Sequence, residues 1–156
     1  MIVEGFYNAT YNNLNTIDIV KVYLRNSNSP YTIVDSANSI IDSLTFTGSF
    51  SFNNAPSGSY YIILKHRNSI ETWSKRKGES LTKGTTSASF NFTYAITQAL
   101  GDHMKQVDSS PLRFGIYSGD VNQDGVIEAT DLLLISNDVL IMYTGMSRLI
   151  LMETIS

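Results

Sequence analysis

Between residues 120 and 131 the chain places oxygen-bearing groups at a fixed rhythm. Asp120, Asn122 and Asp124 stand at positions 1, 3 and 5 of this stretch, Glu128 at position 9 and Asp131 at position 12. Position 7, Val126, offers a backbone carbonyl, and Gly125 at position 6 permits a sharp turn. A hard cation such as Ca2+ takes six to eight oxygens, and this spacing supplies them, Glu128 directly or through a water and Asp131 in bidentate fashion. Ile127 at position 8 is expected to point inward and tie the loop to a core. An ordinary acidic turn explains a lone Asp-x-Asn-Gly. It does not explain acids, amide, glycine, apolar position and terminal Asp all in register. The expected metal ligands are therefore Asp120, Asn122, Asp124, Val126, Glu128 and Asp131.

The order is that of an EF-hand loop except at its end, where Asp131 stands in place of the usual Glu. The shorter carboxylate resembles the dockerin repeat, whose loop also ends in Asp and runs into a helix. That resemblance implies a calcium-binding docking module with a cohesin-type partner. Asp131-Leu132-Leu133-Leu134-Ile135 fits the helix start, with Thr130 as its N-cap. The segment 132–143 is apolar nearly all round, so part of it is expected to pack on the rest of the chain. The remainder would seat a second repeat or a cohesin-like receptor. Dockerins carry two calcium repeats, whereas residues 144–156 form an atypical tail. Read one base back, the codons of Leu151-Met152-Glu153-Thr154 must spell Asp, Asn, His or Tyr, then Gly, then Asn or Asp. A frameshift inside a second repeat and a natural short amphipathic tail both account for these residues.

With 156 residues, 42% of them hydrophobic, the chain has room for one domain or one domain with a small appendage. Charged residues are 16%, below the roughly 25% usual for soluble domains. Net charge is -3, so general nucleic-acid affinity is not expected. Charge is nevertheless uneven. Residues 65–83 are basic and read as a solvated loop, while residues 120–138 hold acids and no bases. Without cysteine there are no disulfides, zinc-thiolate sites or thiol catalysis. No signal peptide and no apolar run of membrane-spanning length is visible, and an upstream portion is expected to be missing.

The first hundred residues alternate with period two between turns rich in Asn, Ser, Gly and Pro, the pattern of short half-buried strands. Strands are expected at 3–7, 19–25, 31–36, 49–52, 60–66, 71–74, 88–93 and 112–117, with one helical turn at 95–100. Val20, Val22 and Leu24 should face one way and Lys21, Tyr23 and Arg25 the other, and 60–64, apolar on both faces, should be central. This predicts a mainly β fold, an antiparallel immunoglobulin-like or prealbumin-like sandwich over 1–117, followed by an EF-hand-like calcium loop and one helix over 118–143. Gly48-Ser49-Phe50-Ser51-Phe52 with Pro56-Ser57-Gly58-Ser59-Tyr60-Tyr61-Ile62 resembles the prealbumin-like family. Leu64-Lys65-His66-Arg67-Asn68-Ser69, Met104-Lys105-Gln106 and the loop opening at Gly119 together resemble secreted multidomain proteins of the Bacteroidetes and Ignavibacteria. That resemblance implies an extracellular or cell-surface accessory module within a longer parent protein, and no enzymatic activity.

Other chemistry finds little support. His66 and His103 are the only imidazoles, and no nucleophile-elbow motif accompanies them. Hydrogen bonding is the expected role of His66, and solvation that of His103. Acids outside the loop are scattered, without the pair that glycoside hydrolysis needs. Trp73, Tyr60, Tyr61 and Tyr94 can stack on sugar rings, which keeps a carbohydrate-binding module as the alternative, although such rings usually fill the core. The sequence thus predicts a non-catalytic, calcium-binding structural or assembly module whose partner is a cohesin-like protein or a glycan.

Overall fold

The computed structural model describes residues 1–84 and 88–139. In chain order its strands are β1 (Tyr7–Asn8), β2 (Asn13–Leu14), β3 (Ile19–Asn26), β4 (Ile33–Ile40), β5 (Gly58–Lys65), β6 (Thr72–Trp73), β7 (Glu79–Leu81), β8 (Lys105–Ser109) and β9 (Leu112–Gly115). One α-helix, α1, covers 129–139. The fold is mainly β, with antiparallel sheets, as its sequence pattern predicts.

The clearest alternation in the sequence forms the central strand. β3 buries Val20, Val22 and Leu24, while Lys21, Tyr23 and Arg25 lie on the opposite face. It lies between β4 and β5, antiparallel to both. β6 and β7 share the far edge of β5, pairing with Ile63–Leu64 and with Gly58–Tyr60 respectively. On the inner face Val22 lies opposite Leu64 and Leu24 opposite Ile62. On the outer face Ile63 is fully buried, beside Tyr61 and Trp73. β5 is thus covered on both sides, which its unbroken apolar run requires.

The inner face packs against Ile2, Ile41, Phe46, Phe92, Met104 and Phe114. These come from the chain start, from irregular segments and from the β8–β9 hairpin. Most of this second layer is not ladder-paired. The strand expected at 3–7 is a single parallel bridge from Val3 to Ile116 followed by a 3-10 turn at Glu4–Phe6. Segments 49–52 and 88–93 form no strand. Their alternating Phe50, Phe52, Phe90 and Phe92 do pack against the core. Side-chain alternation there reports burial, and no neighbouring backbone completes a ladder. The helical turn expected at 95–100 is a 3-10 turn at Ile96–Gln98.

Candidate functional site

The chain enters the 120–131 loop already fixed to the sheet. Beyond β9, Ile116 N–H donates to the Ile2 carbonyl at 2.9 Å and Ile70 N–H to that of Tyr117 at 3.1 Å. Ser118 bridges Ser69, and Gly119 N–H donates to the Asn68 carbonyl at 3.0 Å. Gln123 continues the seam, its Nε2 donating to the carbonyls of Asp120 at 2.6 Å and Ser69 at 3.3 Å. The turn at 66–69 therefore serves as a docking plate for the loop. Nothing in the sequence marks Gln123, Asn68 or Ser69 for that task.

Within the loop two carboxylates are buried, Asp120 and Asp131, each 2% exposed. Asp120 accepts from the N–H groups of Asp124 and Gly125, both at 3.1 Å. Asp131 closes the far end: Oδ1 accepts from Val121 N–H at 2.7 Å and Asn122 N–H at 3.1 Å, and Oδ2 from Glu128 N–H at 3.0 Å. The N–H groups of Glu128 and Asn122 hold the Asp131 carboxyl below the usual carboxylate range, so it stays ionised. Asn122 Oδ1 accepts from Asp124 N–H at 2.9 Å, and Asp124 Oδ1 from Val126 N–H at 2.9 Å. Gly125 has φ +90° with open space around its Cα, so backbone conformation rather than crowding selects glycine.

The helix begins at residue 129, two residues earlier than expected. Thr130 lies inside its first turn rather than at the N-cap, its hydroxyl donating to Glu128 Oε1 at 3.0 Å. Asp131 reaches back to Glu128 N–H, which is half of a capping box. The expectation that Ile127 points into a core is overturned, and the expected packing of 132–143 is not seen over 132–139. Ile127 is 44% exposed and Leu132 65%, and within α1 only Asp131 is buried. The loop docks through its polar backbone, so position 8 has no core to enter. The segment's apolar side chains cover nothing among the described residues. Residues 140–143 of the expected helix, and the tail from 144, lie outside them.

Asn122, Asp124, Val126 and Glu128 are exposed along the same loop. Among the described residues no three acids converge on one point, because the carboxylates cap backbone N–H groups instead. The donor set nonetheless suits a hard cation. It consists of oxygen alone. Its two buried carboxylates have no ion-pair partner among the described residues, and no Lys or Arg occurs from Phe114 to Ser147. The N–H groups that these carboxylates accept offset part of the cost of burying their charge, and a coordinated cation would neutralise it.

The other sites read from the sequence behave as structural groups. His66 is 1% exposed beneath the docking turn. Its Nδ1 accepts from Asn68 N–H at 3.2 Å, which leaves the proton on Nε2, 3.3 Å from Asp18 Oδ2. Arg67 joins Asp18 at 2.8 Å. Burial pushes the His66 imidazole below its ordinary 6.5 despite Asp18. A histidine depressed by folding contributes stability above 6.5 that is lost as pH falls, because the unfolded chain takes up the proton first. Melts in chelator should therefore decline with acidification below pH 6.5. His66→Gln should stay level until pH approaches the ordinary carboxylate value of 3.8, below which the depressed Asp18 and Asp42 begin to lose their contribution. Equal slopes for both proteins would refute the assignment. His103 is exposed, as expected. Tyr60 is buried, Tyr94 is 53% exposed, and Trp73 is half-buried with its Nε1 donating to Glu71 at 2.8 Å.

No curated protein and no solved structure matches the chain. A family model does match its C-terminal part, the Dockerin type I domain, over residues 118–150. The match begins where the chain leaves the sheet and spans the loop with both buried carboxylates. It supports a dockerin-like calcium repeat in residues 118–150 of this chain.

Proposed function

We propose that residues 118–143 form a calcium-ordered, non-catalytic docking element carried by a β-sandwich module, 1–117, of immunoglobulin-like or prealbumin-like kind, in an extracellular or cell-surface protein. The observation that carries this reading is the pair of buried, cation-free carboxylates in an oxygen-only loop. Asp120, Asn122, Asp124, the carbonyl of Val126, Glu128 and Asp131 would hold Ca2+. Bound there, the ion supplies the positive charge that the loop lacks. The chain's own residues fix the loop to the 66–69 turn, cap the helix start and present the helix. No described helix is long and apolar enough to cross a membrane.

The docking half of the proposal rests on exposed apolar area. Val126 is 54% exposed and Val139 61%, and between them the consecutive Leu132, Leu133, Leu134 and Ile135 are exposed as well, all on the matched segment. Such surface marks an interaction site in a folded chain. A cohesin-type receptor is the partner that the dockerin match favours. The atypical tail from 144 does not bear on this test.

Calorimetric titration with calcium, paired with melts in calcium and in chelator, tests the metal half. Extracellular calcium modules bind at about 10⁻⁴–10⁻³ M. Calcium at about 10- to 100-fold over Kd adds about 1.4–2.7 kcal/mol by linkage. For a chain of this size that is a rise in Tm of roughly 3–11 °C. Asp124→Ala, at an exposed ligand, should show neither heat nor shift. A wild-type chain indifferent to calcium would refute the metal reading. Failure of a cohesin to bind the calcium-loaded chain would refute the docking reading alone.

A further inference from the structure

The outer face of the five-stranded sheet carries an aromatic cluster that the calcium loop does not use. Tyr31, Tyr61 and Trp73 pack edge to face, with ring centroids 6.0 Å apart for Tyr31–Tyr61, 6.1 Å for Tyr31–Trp73 and 5.4 Å for Tyr61–Trp73. The Arg25 guanidinium lies 5.3 Å over the Trp73 ring. Tyr31 and Tyr61 line an open groove together with Asn28, Arg76 and Lys77. Tyr61 is buried into its floor, whereas Tyr31 is 41% exposed on its wall. Tyr31 (φ +56°) and Lys77 (φ +76°) both hold left-handed backbone, a conformation that non-glycine residues adopt rarely and that clusters at binding sites.

Within the basic run Arg67 and Lys75 have carboxylate partners, Asp18 and Glu79, and of the cations without one among the described residues Arg76 and Lys77 line the groove. Arg76 and Lys77 are exposed and have no ion-pair partner among the described residues. The groove therefore offers aromatic faces, an amide and two free cations within one concave surface. Apolar ring faces stack on aromatics, and a carboxylate or sulfate is the natural counter-group for guanidinium. We infer that this groove binds an anionic saccharide, its sugar ring against Tyr31 and Tyr61 and its acidic substituent at Arg76 and Lys77. This inference is independent of the calcium reading, since it concerns other residues on another surface. Single-stranded nucleic acid also combines stacking with charge, but it needs cations along the whole strand path. Here they gather in the Arg76-Lys77 pair of a chain with net charge -3.

Trp73 is the chain's single tryptophan and borders the cluster, so its fluorescence reports occupancy directly. The full chain is titrated with polygalacturonate, dextran sulfate, neutral dextran and an oligothymidylate. Polygalacturonate or dextran sulfate should shift the emission, and neutral dextran should not; which polyanion binds tighter identifies carboxylate or sulfate as the recognised group. Tyr31→Ala should weaken binding roughly 10-fold or more, while Tyr31→Phe keeps the ring and keeps binding. The double variant Arg76→Gln with Lys77→Gln should lose affinity and flatten its salt dependence. Wild-type melting temperatures in the variants establish that they fold. The inference is overturned if neither polyanion binds, if Tyr31→Ala binds as well as wild type, or if the oligothymidylate binds tighter through the same residues.

Discussion

Asp131→Ala should abolish calcium binding and leave the amides of Val121, Asn122 and Glu128 open to exchange, while β3 and β5 keep their protection. The carboxylate is 2% exposed and accepts all three of those N–H groups. It joins the first turn of the loop to the start of the helix. Alanine leaves the three donors without a partner inside a tight turn, and a buried donor that loses its acceptor opens toward water. The same change removes an expected ligand. Loss of supporting groups around a metal already costs about 10- to 100-fold in affinity, so loss of a ligand that also organises the loop should exceed about 100-fold. Hydrogen exchange with and without calcium separates the two roles. If the three amides stay protected in Asp131→Ala, the loop is held by Gly119, Gln123 and the 66–69 turn alone. If the variant still titrates with wild-type affinity, Asp131 is no ligand.

That double role explains why so much of the loop was legible in the sequence. The spacing of Asp120, Asn122, Asp124 and Asp131 is dictated locally, because each side chain serves N–H groups of its own loop. A pattern whose contacts are all close in sequence can be read without knowing the rest of the fold. Ile127 and Leu132 failed for the complementary reason. Whether an apolar side chain at the end of a polar loop is buried depends on what lies across from it. Here the partners of the loop are the backbone carbonyls of Asn68 and Ser69.

The same division runs through the β layer. β3 and β5 were legible because burial and pairing coincide along them: Val20, Val22 and Leu24 alternate and both neighbours are laddered. At 49–52 and 88–93 the two separate. Phe90 and Phe92 meet edge to face with centroids 4.6 Å apart, and Phe114 N–H ties this segment to β9 by donating to the Thr93 carbonyl at 2.8 Å. β8 escaped notice for the opposite reason, since Lys105–Ser109 pairs with β9 but exposes most of its side chains. The aromatic groove was half visible. Tyr61 and Trp73 could be named as sugar-stacking candidates, but Arg25 joins them only through the register of β3 against β5, and Tyr31 only through the turn between β3 and β4.

Gly78→Val should be the most damaging single change in the sheet. Gly78 has φ +67°, and an added Cβ would lie 2.7 Å from both the carbonyl carbon and the oxygen of Tyr60. Those are backbone atoms of β5 at its pairing with β7, so no side-chain rotation relieves the overlap. Left-handed backbone costs an L-residue roughly 1–2 kcal/mol, and forcing a packed neighbour aside costs about 1–3 kcal/mol more. The sum, about 2–5 kcal/mol, lowers Tm by roughly 4–20 °C for a chain of this size. Gly84→Val is the matched control, because Gly84 has φ +85° and nothing within 4 Å of the added Cβ. Only the conformational part applies there. A Gly78 variant that melts with the Gly84 variant would mean that β7 yields freely from β5. The Tyr60 packing beneath it, against Leu24 and Ala55, would then hold that end of the sheet without help from the edge strand.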